Sequence, residues 1–237
     1  MDNAQPLVVA FVKGTAPSKW FDRFNERTDY PSLIAQESDD PFRLLIDGHA
    51  TAALIRLPEA RLTADFHLVT LYEEQPGIAV PKDNELTLLE QISRADIVEE
   101  IVNYEPGDAV DIGAVRDAVQ VVAANVGVVI APRPLLRSIN SKQTEHREFV
   151  DGTPTTIALA WRKDNDNEMI QDFVGITKGR TALSSRQQAN PKLKAKEKAA
   201  QRAKKVAAKK MATKNAAAKK SGAGRGASKS KGRKGRR

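Results

Sequence analysis

Apolar residues along this chain fall in short runs closed by polar breakers, and these runs alternate with stretches in which apolar positions recur at three and four. Leu7 to Val12 is β-branched with no helical stripe and reads as a buried strand. Gly14 breaks it, and Thr15, Pro17 and Ser18 are residue types that start helices. Trp20, Phe21 and Phe24 then share one side of a helix. The chain opens strand, small polar loop, helix. In an open α/β sheet such a loop lies at the carboxyl end of a strand with helix amides pointing outward, where small anions bind.

The pattern continues. Ser32 to Gln36 reads as a second strand that runs into the polar Glu37-Ser38-Asp39-Asp40. Pro41 begins a helix with Phe42, Leu45 and Ile46 on one face and Gly48 as its stop. Ala52 to Leu57 is a third strand, closed by Pro58. Phe66 to Tyr72 and Pro76 to Val80 are further extended runs, separated by Glu73-Glu74-Gln75. Leu86 to Val98 is helix-like, Ile101 to Tyr104 a short strand, and Ile112 to Ala124 an amphipathic helix ended by a left-handed Asn125. Gly127 to Ala131 is a buried strand, and Pro132 starts a helix over Leu135 and Ile139. Glu145 to Val150 and Thr155 to Trp161 are strands, and Asp164 to Asn167 caps a last helix, Glu168 to Lys178. Strands alternating with helices at this spacing predict an α/β fold with a parallel sheet.

Charge divides the chain. Residues 187–237 hold 19 lysines and arginines against the single acid Glu197, which leaves 19 basic and 29 acidic residues in residues 1–186. The overall +8 describes neither part. The absence of cysteine removes disulfides and thiolate metal sites and fits a reducing compartment. The N-terminus, with Asp2 before a short apolar run, is neither signal peptide nor membrane anchor, so a cytoplasmic location is expected. His49, His67 and His146 have no partners at metal-ligand spacing and read as surface or packing residues, and no nucleophile elbow, paired-carboxylate motif or phosphate loop is present. No catalytic, metal or cofactor site is therefore expected.

Five segments stand in a telling order: Gly14 to Phe24, Leu44 to Leu57, Gln75 to Leu86, Ser93 to Ile97, and Ala124 to Pro132 (ANVGVVIAP), which joins a helix end, a tight turn, a buried strand and a stop. Over roughly Leu7 to Arg180 they resemble the effector-binding domain of LysR-type transcriptional regulators. That resemblance implies the two-lobed fold of type 2 periplasmic binding proteins, with lobe one from about 7–80 and 155–178 and lobe two from about 81–154. It also implies a small-molecule cleft between the lobes, where helix N-termini converge on the ligand, often on its carboxylate, and side-by-side pairing into a homodimer. The body begins six residues from Met1, so the family's helix-turn-helix and linker helix are expected to be missing.

The candidate ligand-binding residues follow from these readings. Thr15 and Ser18 occupy positions where the family's hydroxyls face the cleft, and they serve equally as simple helix caps. Arg56 ends an otherwise apolar strand, where a buried guanidinium needs a partner: an anionic ligand, or a carboxylate such as Glu73 or Glu74. Glu37, Ser38 and Asn103 follow strands at the expected cleft rim, or are ordinary loop residues. A small anionic metabolite is the expected ligand.

In the tail, lysine recurs amid alanine from Pro191 onward and glycine joins after Ser221, a composition that resembles the tails of linker histones and of actinobacterial nucleoid-associated proteins. With no apolar stripe to dock, it is expected to be disordered. Lys192, Lys194, Lys196, Lys198, Arg202, Lys204, Lys205, Lys209, Lys210, Lys214, Lys219, Lys220, Arg225, Arg233, Arg236 and Arg237 are the expected contacts to phosphates of DNA or RNA, without base readout. Association with the nucleoid would follow; a solubilising extension, or a tail folded back on the acidic body, is the alternative. Taken together, the chain reads as a ligand-sensing domain with a nucleic-acid tail. A protein-interaction module with a degenerate cleft, tethered to DNA or RNA by the tail, is the second reading.

Overall fold

The structure is a computed structural model that describes residues 5–179. The lysine-rich tail and its sixteen expected phosphate contacts lie outside the described residues.

Among the described residues, ten strands form two five-stranded sheets, each the centre of a lobe. Lobe one orders its strands β2-β1-β3-β10-β4, where β1 is Val8–Val12, β2 Ile34–Ser38, β3 Ala52–Leu57, β4 Phe66–Glu74 and β10 Thr155–Arg162. Alternation along β1 and β3 sends Val9, Ala52 and Leu54 to one face and Ala10, Ala53 and Ile55 to the other. The first face is covered by α1 (Ser18–Arg27) and α5 (Glu168–Thr177), whose Phe21 and Phe24 rings lie 6.1 and 5.8 Å from Phe173. The second is covered by Phe42 and Leu45 of α2 (Pro41–Ile46).

Lobe two orders its strands β6-β9-β5-β8-β7, with β5 Pro76–Pro81, β6 Gln91–Ile92, β7 Val102–Tyr104, β8 Val128–Pro132 and β9 Thr144–Phe149. Ala79, Val129 and Ala131 meet α3 (Ile112–Ala123) and α4 (Arg133–Ile139), while Ile78, Val80, Val128 and Ile130 meet Ile92, Ile97 and Phe149. Asn125 is left-handed at φ 65° and stops α3, as its side chain allows.

The structure alters four expectations. The sheets are mixed, because β10 runs antiparallel to β3 and β4, and β5 antiparallel to β8 and β9. Strands that re-enter across a lobe boundary are free of the helical crossover that imposes parallel pairing. The boundary itself falls at Gln75, since β5 belongs to the second sheet, so lobe one ends there and not at residue 80. Residues 86–98 are not one helix but two 3-10 turns, Glu85–Leu88 and Arg94–Ile97, around the short β6. Asn84 and Ser93 each restart the backbone, Asn84 by accepting from the Leu86 amide at 2.8 Å and Ser93 by donating its amide and hydroxyl to the Asp96 carboxylate at 2.8 and 2.6 Å. Finally, β2 extends to Ser38, two residues beyond its expected end.

Candidate functional site

The carboxyl ends of β1, β2 and β3 face lobe two, and beside them lies a cavity of about 370 Å³. Lobe one lines it with Asp39 and Asp40 after β2, Arg56 of β3, and Pro58 to Arg61 beyond it; lobe two contributes Ala109 to Gly113, the entry to α3. A smaller space of about 150 Å³ extends toward the crossovers, lined by Pro58, Pro76, Val110 and Thr155 among others. These dimensions suit a small metabolite.

The floor is a fixed charge network. Arg56 donates from Nε and Nη2 to Glu74 at 2.6 and 3.2 Å, and from Nη2 to the Lys13 carbonyl at 3.2 Å. Thr155 adds a hydroxyl to the same carboxylate at 3.0 Å. The pair is deeply buried, with Arg56 5% and Glu74 0% exposed in their side chains, and its two-pronged geometry offsets part of the desolvation of both ions. Because Glu74 ends β4 and Thr155 begins β10, the network ties both crossovers to β3. One donor is left over: Arg56 Nη1 is buried without a partner among the described residues.

The rim is acidic. Arg61 donates to both oxygens of Asp40 at 2.8 Å and to Glu59 at 2.7 and 2.8 Å, so one guanidinium serves two carboxylates. Its hydrogen bonds hold both carboxyls below their usual range, and they in turn raise the guanidinium. Asp39 reaches across to Arg116 of α3 at 2.6 Å, an ion pair joining the lobes. Both helix N-termini facing the cavity already carry a carboxylate. Asp40 accepts from the Arg43 amide of α2, and Asp111 from the Ala114 amide of α3, each at 3.0 Å. The expected ligand carboxylate at a helix end would have to displace them.

Of the six expected ligand-binding residues, the structure brings Arg56 alone to the cavity, with Glu74 as its partner. The Thr15 hydroxyl donates to the Val12 carbonyl at 2.7 Å and closes a turn, and Ser18 is exposed at the start of α1 with no capping bond. Glu37 pairs with Lys13 at 3.3 Å, and the Ser38 hydroxyl accepts from the Asp40 amide at 3.0 Å. Asn103 lies on β7, where its amide donates to the Val126 carbonyl at 2.7 Å and braces the turn before β8. Asp39, Asp40, Glu59, Arg61 and Asp111 are the residues that sequence reasoning passed over. The longer β2 explains the first two: moving its end by two residues puts Asp39 and Asp40 where Glu37 and Ser38 were expected.

The loop after β1 is closed. Gly14, at φ +93°, packs directly on the α4 backbone; a Cβ there would lie 2.8 Å from Leu135 Cα. Val12 and Ile157 of lobe one join the apolar core of lobe two. Among the described residues no group of His, Asp or Glu is arranged to hold a metal ion, and no helix is long and apolar enough to cross a membrane. His67 packs on Trp161, ring centroids 5.1 Å apart.

No family model and no curated protein matches the sequence. Solved structures do match the fold. A mutant regulatory domain of OxyR from Pseudomonas aeruginosa aligns with TM-score 0.55 and 19% identity, over 76% of this chain and 99% of that one. The effector-binding domain of a BenM variant aligns with TM-score 0.59 and 14% identity, over 76% and 96%. Full-length CbnR complexed with target DNA aligns with TM-score 0.56 and 16% identity, over 73% and 67%. These neighbours are regulatory proteins of the LysR type, so the two-lobed fold is the one that the resemblance implies.

Proposed function

We propose that residues 5–179 are a small-molecule sensing domain and not an enzyme, with the interlobe cavity as its ligand site. The observation that carries this reading is the cavity itself: it lies between two lobes at the carboxyl ends of three strands and is floored by a guanidinium with an unpartnered donor. The expected ligand is a small anionic metabolite, drawn by the positive charge of Arg56 and Arg61 in the cavity wall. A homodimer belongs to the reading, because β2 and β7 are open sheet edges carrying the exposed Ile34 and Val102. So does a cytoplasmic location. Ligand binding would close the lobes and alter dimer packing or the presentation of the tail, which would bind DNA or RNA through phosphate.

Thermal unfolding of the full chain against a panel of small carboxylates, amino acids and aromatic acids tests the cleft. A ligand at 100 times its Kd stabilises by about 2.7 kcal/mol and moves the midpoint by a few degrees. For the tail, a chain ending at Arg186 should lose nucleic-acid binding at low salt, while the full chain binds with a log–log salt slope of about −0.9 per phosphate contacted. Unchanged binding after truncation would refute the tail assignment.

The closed β1 loop favours a second reading. Gly14 against Leu135 and Val12 in the lobe-two core fill part of the cleft with the chain's own atoms. A panel without a single stabilising compound would leave a tethered protein-interaction module as the better account.

A further inference from the structure

Building on the reading that this protein binds nucleic acid through phosphate, we infer that a corner of lobe two formed by Lys82, Arg137 and Lys142 is a further contact surface for the phosphate backbone. The fold brings the three together from separate segments. β5 ends at Pro81 opposite Thr144 of β9, and the Lys82 amide donates to the Gln143 carbonyl at 2.9 Å, which sets Lys82 beside the turn that carries Lys142. The Thr144 hydroxyl ties that turn to the end of α4 by donating to the Asn140 side chain at 3.0 Å. Arg137, in the last turn of α4, donates from Nε to His146 Nε2 at 3.2 Å, two residues along β9 from Thr144.

The body is acidic as a whole, and most of its arginines are matched. Arg43, Arg61, Arg94, Arg116 and Arg162 each hold a carboxylate. At this corner the cations are exposed, and none of the three has a carboxylate at ion-pair distance among the described residues, because the nearby Glu145 and Glu148 go to Arg147 and Arg133. His146 senses the excess: burial first, then Arg137, Arg133 and Arg147, hold it below its usual range against the opposing Glu145. With Nε engaged by His146, Arg137 keeps both Nη groups for a fork to phosphate oxygens. The acids Asp83, Glu85, Asp96 and Glu99 gather around the 3-10 turns, whose Leu86 and Ile97 cover the other face of the sheet, so lobe two is charged oppositely on its two faces. Exposed cations hold one small anion weakly, whereas a polyanion engages several at once and releases its counterions.

The test measures binding of the full chain to a mixed-sequence DNA duplex by fluorescence anisotropy between about 50 and 200 mM salt. Each phosphate contact adds about 0.9 to the log–log slope, so the triple variant Lys82→Gln, Arg137→Gln, Lys142→Gln should bind more weakly at the lower salt, with a slope shallower by about 2 to 3. Its unfolding temperature should be unchanged, since all three residues are exposed. A charge-matched control on lobe one, Lys19→Gln, Lys163→Gln, Lys178→Gln, should keep the parent slope, which separates local contact from net charge. Equal slopes for the two triple variants would overturn the corner and leave the tail reading standing. No salt-sensitive binding by the full chain would overturn both.

Discussion

The two sides of the interlobe boundary are built from the same kinds of strand end and behave differently. At the β1 side the lobes touch through backbone: Gly14 lies on Leu135, Val12 enters the lobe-two core, and the Thr15 hydroxyl is bound within its own turn. At the β3 side they part around a cavity ringed by charge, bridged there by Asp39–Arg116, the one ion pair between the lobes among the described residues. Small residues and apolar ends allow contact, whereas arginines and carboxylates that already satisfy one another hold a space open. The chemistry available to a ligand is therefore on the side where side chains are longest.

Breaking the floor of the open side should have the largest effect. Glu74→Ala leaves the Arg56 guanidinium buried without its counter-ion and should destabilise by about 3–5 kcal/mol in chemical denaturation. Replacing both residues, Arg56→Met with Glu74→Leu, should recover most of that loss, because the desolvation of both ions is removed together. A double variant as unstable as the single one would show that the network holds the hinge for reasons beyond its charge.

The closed side comes next. Gly14→Ala adds a methyl in a backbone conformation that L residues avoid, against Leu135 Cα at 2.8 Å, and should cost about 2 kcal/mol or more. Its distinguishing mark is a larger radius of gyration by X-ray scattering as the lobes are levered apart. An unchanged radius would mean that the strain is absorbed within the loop.

Arg61→Ala probes the rim and gives a smaller change, below about 1 kcal/mol, since Arg61 and Asp40 are 42% and 49% exposed in their side chains. Its effect is tied to pH. The folded-state carboxyls of Asp40 and Glu59 are depressed by Arg61, so their contribution is complete above their ordinary values near 4 and is lost as pH falls through the lower folded values. The variant should accordingly lose less stability than the parent between pH 6 and pH 3. Arg116→Ala should have the least effect on stability, about 0–1 kcal/mol and screened by salt, while making the cavity easier to enter. A faster association rate for a cleft ligand, with little change in melting temperature, would mark the ion pair as a latch.

Much of this architecture was legible without coordinates. Ala52 to Leu57 and the α3 stripe declare themselves because a buried strand and a one-sided helix have unmistakable periods, and Asn125 suits the left-handed stop observed. The stretch from Leu86 to Val98 misled because its apolar residues do not share one fate: Ile92 and Ile97 are buried, but Leu88 and Val98 are 84% and 78% exposed. Periodicity cannot distinguish an apolar residue facing the core from one facing solvent.

For the site, the chain by itself determined which residues are available: a guanidinium in an apolar strand, acids at strand ends, hydroxyls in the first loop. Those facts are local, set by residue type and by where a strand must stop. Only the tertiary structure decided that Arg56 meets Glu74 and keeps one donor over, that the hydroxyl loop closes onto α4, and that Asp111 lines the same cavity as Asp39 and Arg61. The physical reason is that pairing energies depend on distance and burial between residues remote in sequence, and no local pattern encodes those quantities.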